Sequence, residues 1–403
     1  MVSSGLYLRR GVAMERKVSV IIPIYKGNSF ISHLAYMLEE NWKSVNKIEP
    51  VSIEMVLVND FPDEKLEIKD RLMENISWIE VTNKQNSGIH FSRAQGLLHS
   101  SGDYVLFLDQ DDIISPVYIR EQIAELGAAD AIICNGKNRS DLIYRNQEEL
   151  DRAVGKEEYW KGYNQIVSPG QVLIRRTAIP KEWVCNILKN NGADDYFLWM
   201  LMFSQNKKIK IHNKVLYWHL ISDVNTSKNT DEMNASVYEM LSKMRTFDYL
   251  SPEEETRIRQ TRTCSRPNVL SEEKYRKQVV YRQILEMWMV LRDREVTVNE
   301  FFHNMGIERI AIYGGGILGK HLYYELRETD VAVVCFMDKN TKADIPGTKT
   351  VIPGEQIEQV DAIIITPIME YEKIREDLRK QYDFEMMSIE TVIYNADCKL
   401  MMD

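Results

Sequence analysis

The sequence predicts an α/β protein made of two parallel-sheet units joined by a helical connector. Three observations predict it. Over roughly the first 230 residues, near-continuous aliphatic runs stopped by proline or acids alternate with segments of helical period, the pattern of strands buried on both faces. A charged stretch with helix-capping signals follows. Roughly the last hundred residues then hold a strand, a glycine-rich turn and a helix in immediate succession. These shifts place unit boundaries at 16–230, 231–305 and 306–403.

The first strand is Val18-Ser19-Val20-Ile21-Ile22-Pro23, and the helix after it spans Ser29 to Trp42, with Phe30, Ile31, Leu34, Met37 and Leu38 on one face. Glu54 to Asp60 is a second strand ending in acid. Tyr104 to Leu108 is another, stopped by Asp109-Gln110-Asp111-Asp112. Ligands of parallel sheets collect outside the carboxyl ends of the strands, where Tyr25, Asp60 and the Asp109 tetrad all fall. Alternation along an extended chain puts Asp109 and Asp111 on one side and Gln110 on the other. Two carboxylates beside an open crevice suit Mg²⁺ or Mn²⁺. The same acids are equally the type that caps a helix, here one opening at Ser115-Pro116-Val117-Tyr118-Ile119.

Four segments in register, Val18 to Tyr25, the strand ending Asn59-Asp60, Asn86 to Gly96, and Gly102 to Asp112, resemble the signature of family-2 glycosyltransferases with the GT-A fold. The resemblance covers roughly residues 16 to 230. It implies a nucleotide-diphosphate-sugar donor, most often a UDP-sugar, and a divalent metal, Mn²⁺ or Mg²⁺, held by a DXD motif. Carried over by position, Pro23 and Tyr25 lie on the donor side, Asp60 pairs with the nucleobase, Arg93 lies near the nucleotide, Asp109 near the ribose, and Asp111 holds the metal. The chain departs from the family at Ala94, where an asparagine is usual, and at His90 and Phe91, where small residues are usual.

Glycosyl transfer also needs a base to take the acceptor's proton. Gly192-Ala193-Asp194-Asp195 opens an apolar helix where family members carry an acidic pair, and Asp195 is the expected base, with inversion at the anomeric carbon as the implied outcome. The alternative is that the pair merely favours the helix N-terminus. His219, in Val215 to Leu220 ahead of the polar turn Asn225-Thr226-Ser227, is a candidate metal or phosphate contact, or a structural residue beside Trp218. Trp160, Tyr163, Trp199 and Trp218 are of the type that stacks on sugars; helical spacing places Trp199 in the core, leaving Trp160 as the expected acceptor contact.

In the connector, Met233, Val237, Met240, Leu241, Met244 and Phe247 share a helical face, and Ser251-Pro252-Glu253-Glu254 reads as a capping box. Ser271 opens another helix, with Tyr275, Val279, Leu285, Trp288 and Leu291 on its apolar side, and Thr297-Val298-Asn299-Glu300 reads as a second capping box. This pattern predicts a bridge packed between units. In the last unit, Glu308 to Tyr313 is a strand, Gly314-Gly315-Gly316-Ile317-Leu318-Gly319 is G-x-G-x-x-G, a helix runs from Lys320 to Arg327, and the strand Val331 to Met337 ends at Asp338. Asp361 to Pro367 is a further strand. The segment resembles the small Rossmann-like domains fused to bacterial sugar-modifying enzymes and methyltransferases. Gly314, Gly316, Gly319 and Asp338 are its candidate nucleotide contacts, unless the glycines serve only close packing of helix and strand.

A net charge of -9 argues against nucleic acid as a partner and leaves at most peripheral contact with a membrane, and no apolar run approaches the ~20 residues that span a bilayer. The basic stretch Met1 to Gly11 lacks the apolar core of a signal peptide, and the five cysteines are scattered without metal spacing. The expected setting is the cytoplasm or the inner face of its membrane. The expected partners are a nucleotide-sugar donor and a glycan or lipid-linked glycan acceptor in bacterial cell-surface polysaccharide synthesis. Two other classes stay open: a catalytically inactive nucleotide-sugar-binding regulator, and an NAD-dependent oxidoreductase or epimerase working through the last unit. The latter lacks an adjoining Tyr-x-x-x-Lys or catalytic Cys/His arrangement.

Overall fold

The computed structural model describes residues 16–68, 74–138, 141–220, 230–264, 269–339 and 347–400. The basic stretch 1–11 and the polar turn 225–227 lie outside them, as do the side chains of Tyr275 and Val279. The first unit runs β1 (Arg16–Ile24), α1 (Asn28–Val45), β2 (Val51–Asn59), β3 (Ser77–Thr82), α2 (Ile89–His99), β4 (Tyr104–Phe107), β5 (Ile113–Ile114) and α3 (Tyr118–Leu126). It continues through β6 (Ala131–Asn138), β7 (Asp141–Leu142), α4 (Gln147–Ala153), α5 (Lys156–Trp160), β8 (Val172–Arg175), α6 (Lys181–Cys185), α7 (Asp194–Ser204) and β9 (Ile209–His219).

Among the described residues these strands form one sheet in the order β3-β2-β1-β4-β8-β6-β9-β5, with β7 paired to β6. The aliphatic runs bury on both faces, as parallel strands covered by helices must: Val18, Val20, Ile21, Ile22, Val56, Leu57, Val105 and Leu106 have no exposed surface. The sheet is mixed, however, although β6 and β9 also pair in parallel. Strands β3, β2, β1 and β4 run together, whereas β8 is antiparallel to both β4 and β6. The reason lies in the chain path. Strand β8 is entered from a short turn capped by Ser168, whose hydroxyl donates to Asp112 beyond the end of β4 at 3.2 Å. The chain therefore starts β8 at the end where β4 finishes.

The connector comprises α8 (Thr230–Thr246), α9 (Pro252–Cys264), α10 (Val269–Asp293) and α11 (Asn299–Met305). The predicted face of α8 is real: Val237, Met240, Leu241 and Met244 are fully buried in a cluster with Ile258 of α9 and the aromatic residues of α7. Ser251 and Glu254 form the expected reciprocal cap, Glu254 N–H to Ser251 Oγ at 3.2 Å and Ser251 N–H to Glu254 Oε2 at 2.8 Å. The box at Thr297 does not form. Helix α11 starts instead from Val298, whose N–H donates to Glu325 at 2.9 Å.

The last unit runs β10 (Arg309–Tyr313), α12 (Ile317–Leu326), β11 (Ala332–Met337), β12 (Thr350–Val351), β13 (Ala362–Ile365), α13 (Tyr371–Arg379), β14 (Glu385–Ser388) and α14 (Ile389–Leu400). Its sheet is wholly parallel, in the order β12-β11-β10-β13-β14. Residues of α10, α1 and this sheet share one continuous apolar cluster, so the units pack on each other.

The three motif glycines are not equivalent. Gly314 holds φ +101°, and a Cβ there would meet Thr366 Oγ1 at 2.5 Å; a Cβ on Gly319 would lie 2.1 Å from the Gly314 carbonyl oxygen. Gly316 has an ordinary φ of -75° and nothing within 4 Å of where its Cβ would be. Gly319→Ala is therefore expected to cost about 1–3 kcal/mol through overpacking. Gly316→Ala should cost less than about 1 kcal/mol, as the poorer N-cap. Urea unfolding of the two variants checks the order, and equal losses would refute it.

Candidate active site

The site forms where β1, β2 and β4 end together. Asp60, just past β2, is buried and organises the turn into α2: it accepts Ser87 N–H at 2.8 Å, Gly88 N–H at 2.9 Å and Asn83 Nδ2 at 2.8 Å. A carboxylate accepts about four hydrogen bonds, so about one remains for an outside donor. Gly88 supplies the φ of +85° that lets this turn lead into the helix.

One turn into α2, Arg93 is buried between two carboxylates. Its Nη1 donates to Asp194 at 2.6 Å and its Nη2 to Asp109. Burial opposes the guanidinium's charge, but Asp109 and Asp194 outweigh it and raise its pKa. Arg93 thereby ties the end of β4 to the start of α7, more than eighty residues later in the chain.

The acids after β4 divide their work. Gln110 turns away from them, as alternation predicts, and clamps the backbone after β1: Tyr25 N–H donates to its Oε1 at 3.0 Å, and its Nε2 donates to the Tyr25 carbonyl at 3.3 Å. Asp112 is buried and anchors β9, accepting the Tyr217 hydroxyl, Ser168 Oγ and the Leu220 N–H. Asp109 and Asp111 stay half-buried. None of the acids caps the next helix: α3 begins at Tyr118 behind Val117, without a side-chain cap. Burial, then repulsion from Asp112 and Asp109, pushes Asp111 well above the usual carboxylate range. Burial raises Asp109 too, against the pull of Arg93.

His219, at the end of β9, has its Nδ1 3.1 Å from Asp112 Oδ1 and 3.2 Å from the Tyr217 hydroxyl. Burial would lower its pKa, but Asp112 raises it to about 9. A carboxylate on Nδ1 is the arrangement that orients Nε2 towards a metal. Among the described residues, no group of three or more His, Cys, Asp or Glu forms a ready metal cage.

Across the crevice, Asp194 and Asp195 open α7 but do not cap it; the residue before the helix is Ala193, and no side chain caps there. Asp194 is buried on Arg93, while Asp195 is half-buried and accepts Asn164 Nδ2 at 3.0 Å. Burial first, then the neighbouring Asp194, lifts the Asp195 carboxyl to about 7, the range of a general base at neutral pH.

The aromatic expectations need correction. Trp160 is only 8% exposed, packed with Tyr159 in the core and covered by Lys156 at 4.5 Å, because the short α5 turns both rings inward. Trp199 and Trp218 are fully buried, and the exposed ring of the set is Tyr163. His90, unusual for the motif, is structural: it accepts the Leu188 N–H on Nδ1, leaving Nε2–H for the Trp183 carbonyl. The clamp made by Gln110 and the anchoring by Asp112 had no separate sequence signal beyond their place in the tetrad, and Asn164 had none.

Residues 19–182 match the family model for glycosyl transferase family 2. Curated relatives of this segment include an uncharacterized glycosyltransferase, YibD, of Escherichia coli strain K12, 29% identical over 25% of this chain and 27% of its own length. The dolichol-phosphate mannosyltransferase of Pyrococcus furiosus is 26% identical over 41% of this chain and 42% of its own. The uncharacterized glycosyltransferase EpsJ of Bacillus subtilis is 31% identical over 35% and 41%. The chain thus spans less than half the length of these curated relatives. Among solved structures, S. aureus TarS 1-349 in complex with UDP-GlcNAc aligns with a TM-score of 0.47 at 17% identity, over 66% of this chain and 80% of that one.

Cys134, Cys185 and Cys335 are free thiols, and no helix among the described residues is long and apolar enough to cross a membrane.

Proposed function

We propose that the chain is an inverting, metal-dependent glycosyltransferase that moves a sugar from a nucleotide-diphosphate donor, a UDP-sugar, to the hydroxyl of a glycan or lipid-linked glycan in bacterial cell-surface synthesis. One observation carries the reading: Arg93 bridges Asp109 and Asp194, which brings a candidate base with a pKa near 7 to the crevice where the acidic strand ends converge. The family-2 match over residues 19–182 and the named roles of relatives, among them a minor teichoic acid biosynthesis protein of Bacillus subtilis, support the same class.

Asp111, with His219, would hold Mn²⁺ or Mg²⁺. Asp111 fits the role because burial and its acidic neighbours disfavour its charge and no Lys or Arg pairs with it among the described residues. The ion's chemistry there would be to neutralise the leaving diphosphate. Pro23, Tyr25 and Asp60 line the donor side, Asp60 with its remaining acceptor position facing the base. Asp109, steadied by Arg93, accepts from the ribose. Asp195 takes the proton of the attacking hydroxyl, on the opposite side of the sugar from the leaving group, which inverts the anomeric carbon. The work is placed on the cytoplasmic face of the membrane.

In the last unit we place a nucleotide at Gly314, Gly316, Gly319 and Asp338 of a Rossmann-like fold. The strand order β12-β11-β10-β13-β14 supports it, as does the open space in front of Gly316. Asp338 already accepts the Gly315 N–H at 2.7 Å, which couples the acid to the glycine turn.

The test is a panel of nucleotide sugars with and without Mn²⁺, reading released nucleoside diphosphate. Metal-dependent release from a UDP-sugar is expected; none from any donor would overturn the proposal. The pH dependence follows from Asp195, which must be ionised to act. Below its pKa of about 7, kcat/KM should fall about tenfold per pH unit. A profile flat down to pH 5 would remove Asp195 from the role.

A further inference from the structure

The last unit reaches the loop beside the crevice chiefly through Arg375. Arg375, on α13, is 2% exposed, and its guanidinium is spent on the loop after β1 and the first turn of α1: Nη1 donates to Ser29 Oγ and Nη2 to the Lys26 carbonyl at 2.6 Å. Glu372 pairs with it at 2.7 Å, and it lies 5.3 Å from the centre of the Phe30 ring. Burying a guanidinium is costly unless its donors are met; here Nη1 and Nη2 are met by Ser29, Lys26 and Glu372, while Nε has no partner among the described residues.

What Arg375 grips is strained. Lys26 holds φ +51°, a left-handed backbone that a non-glycine residue keeps only when its surroundings impose it. Two surroundings do so here. On one side Gln110, between Asp109 and Asp111, clamps Tyr25 by its N–H and carbonyl. The Gln110 side chain also fills the space where a Cβ on Gly27 would lie, 2.1 Å away. On the other side stands Arg375, aided by Glu376 on Lys26 Nζ at 3.5 Å. Tyr25, 41% exposed, is thus presented by a loop held between the acidic turn and the last unit.

We propose that Arg375 is a positioning residue for the nucleotide donor: by fixing Lys26 and Ser29 it sets the loop that presents Tyr25, so the last unit completes the donor site of the first. This rests on the transferase reading, in which Tyr25 lies on the donor side. The arrangement makes the last unit a part of the catalytic crevice rather than a passenger, and it gives α13, which follows β13 and its Thr366 contact with Gly314, a physical route to the donor.

UDP binding with Mn²⁺, measured by calorimetry on the full chain, tests this alongside donor KM and kcat. Arg375→Ala should weaken UDP binding and raise donor KM by tenfold or more while kcat changes by less than about threefold. Arg375→Lys, able to reach one acceptor but not both, should fall between. Asn395→Ala is the control: Asn395 docks the last unit on His33 of α1, 3.4 Å from its Nε2 and away from residues 26–29, and its loss should leave UDP affinity unchanged even if it lowers Tm. If Arg375→Ala does not fold, Ser29→Ala, which removes one partner, should show the same KM effect in smaller measure. Tm losses without a change in UDP affinity in Arg375→Ala and Arg375→Lys, or in Ser29→Ala where it stands in, would reduce Arg375 to a docking residue and overturn the inference. Wild-type protein that binds no UDP would instead bring down the transferase reading beneath it.

Discussion

Asp195→Asn should keep the affinity for UDP and lose about 10²–10⁴-fold in kcat, because the amide fills the same space but takes no proton. The variant should also melt above the wild type at pH 8. Folding raises the Asp195 carboxyl to about 7, so the folded state resists its ionisation; the penalty grows as pH rises above the unfolded value near 4 and is complete above about 7. Against that gain, asparagine forfeits one of two acceptor positions, those used by Asn164 Nδ2 and the Tyr196 N–H, a loss of about 1 kcal/mol. The net effect at pH 8 is a gain of about 1 kcal/mol after allowing for the group's partial exposure. At pH 4, where the penalty is absent, the variant should be the less stable of the two. Matching melting curves at both pH values would mean that Asp195 is not strained in the folded protein. Collapse of UDP affinity would move it from the acceptor side to the nucleotide.

The strands that end at this crevice were legible because parallel strands buried on both faces leave an aliphatic run that chemistry must interrupt: Val18 to Pro23, Glu54 to Asn59 and Tyr104 to Leu108 all became strands close to the expected bounds. The mixed half of the sheet was not legible. Strand β9 alternates half-buried and exposed residues along most of its length, and β8 is four residues whose direction depends on where the Ser168 turn lies in space. Trp160 was misplaced for a related reason: Lys156-Glu157-Glu158 reads as solvated, yet a helix of five residues can bury its last two rings while exposing its acids. The pairing of Arg93 with Asp109 and Asp194 could not be read at all, since it joins residues 16 and 101 positions apart. Periodicity reports which face of an element is buried; it does not report which distant element lies on that face.

Neighbouring aspartates of the tetrad should respond in opposite ways, and this is the sharpest test of the metal assignment. Asp112 is a structural acceptor for Tyr217, Ser168, His219 and the Leu220 N–H, so Asp112→Asn should destabilise by about 1–3 kcal/mol through unmet hydrogen bonds. Among the described residues Asp111 accepts no side-chain hydrogen bond; burial and two neighbouring acids disfavour its charge. Removing that charge relieves repulsion in the folded state, so Asp111→Asn should melt at or above the wild-type temperature. A half-buried, repelled carboxylate is explained if a cation takes its charge. Accordingly, Asp111→Asn should bind UDP in the presence of Mn²⁺ no better than the wild type does without metal, and turnover should vanish with it. Calorimetry with and without Mn²⁺, beside thermal unfolding, separates the cases. UDP binding that stays metal-dependent in Asp111→Asn would take the ion away from this turn, whereas a large fall in Tm would show that Asp111, like Asp112, holds the fold.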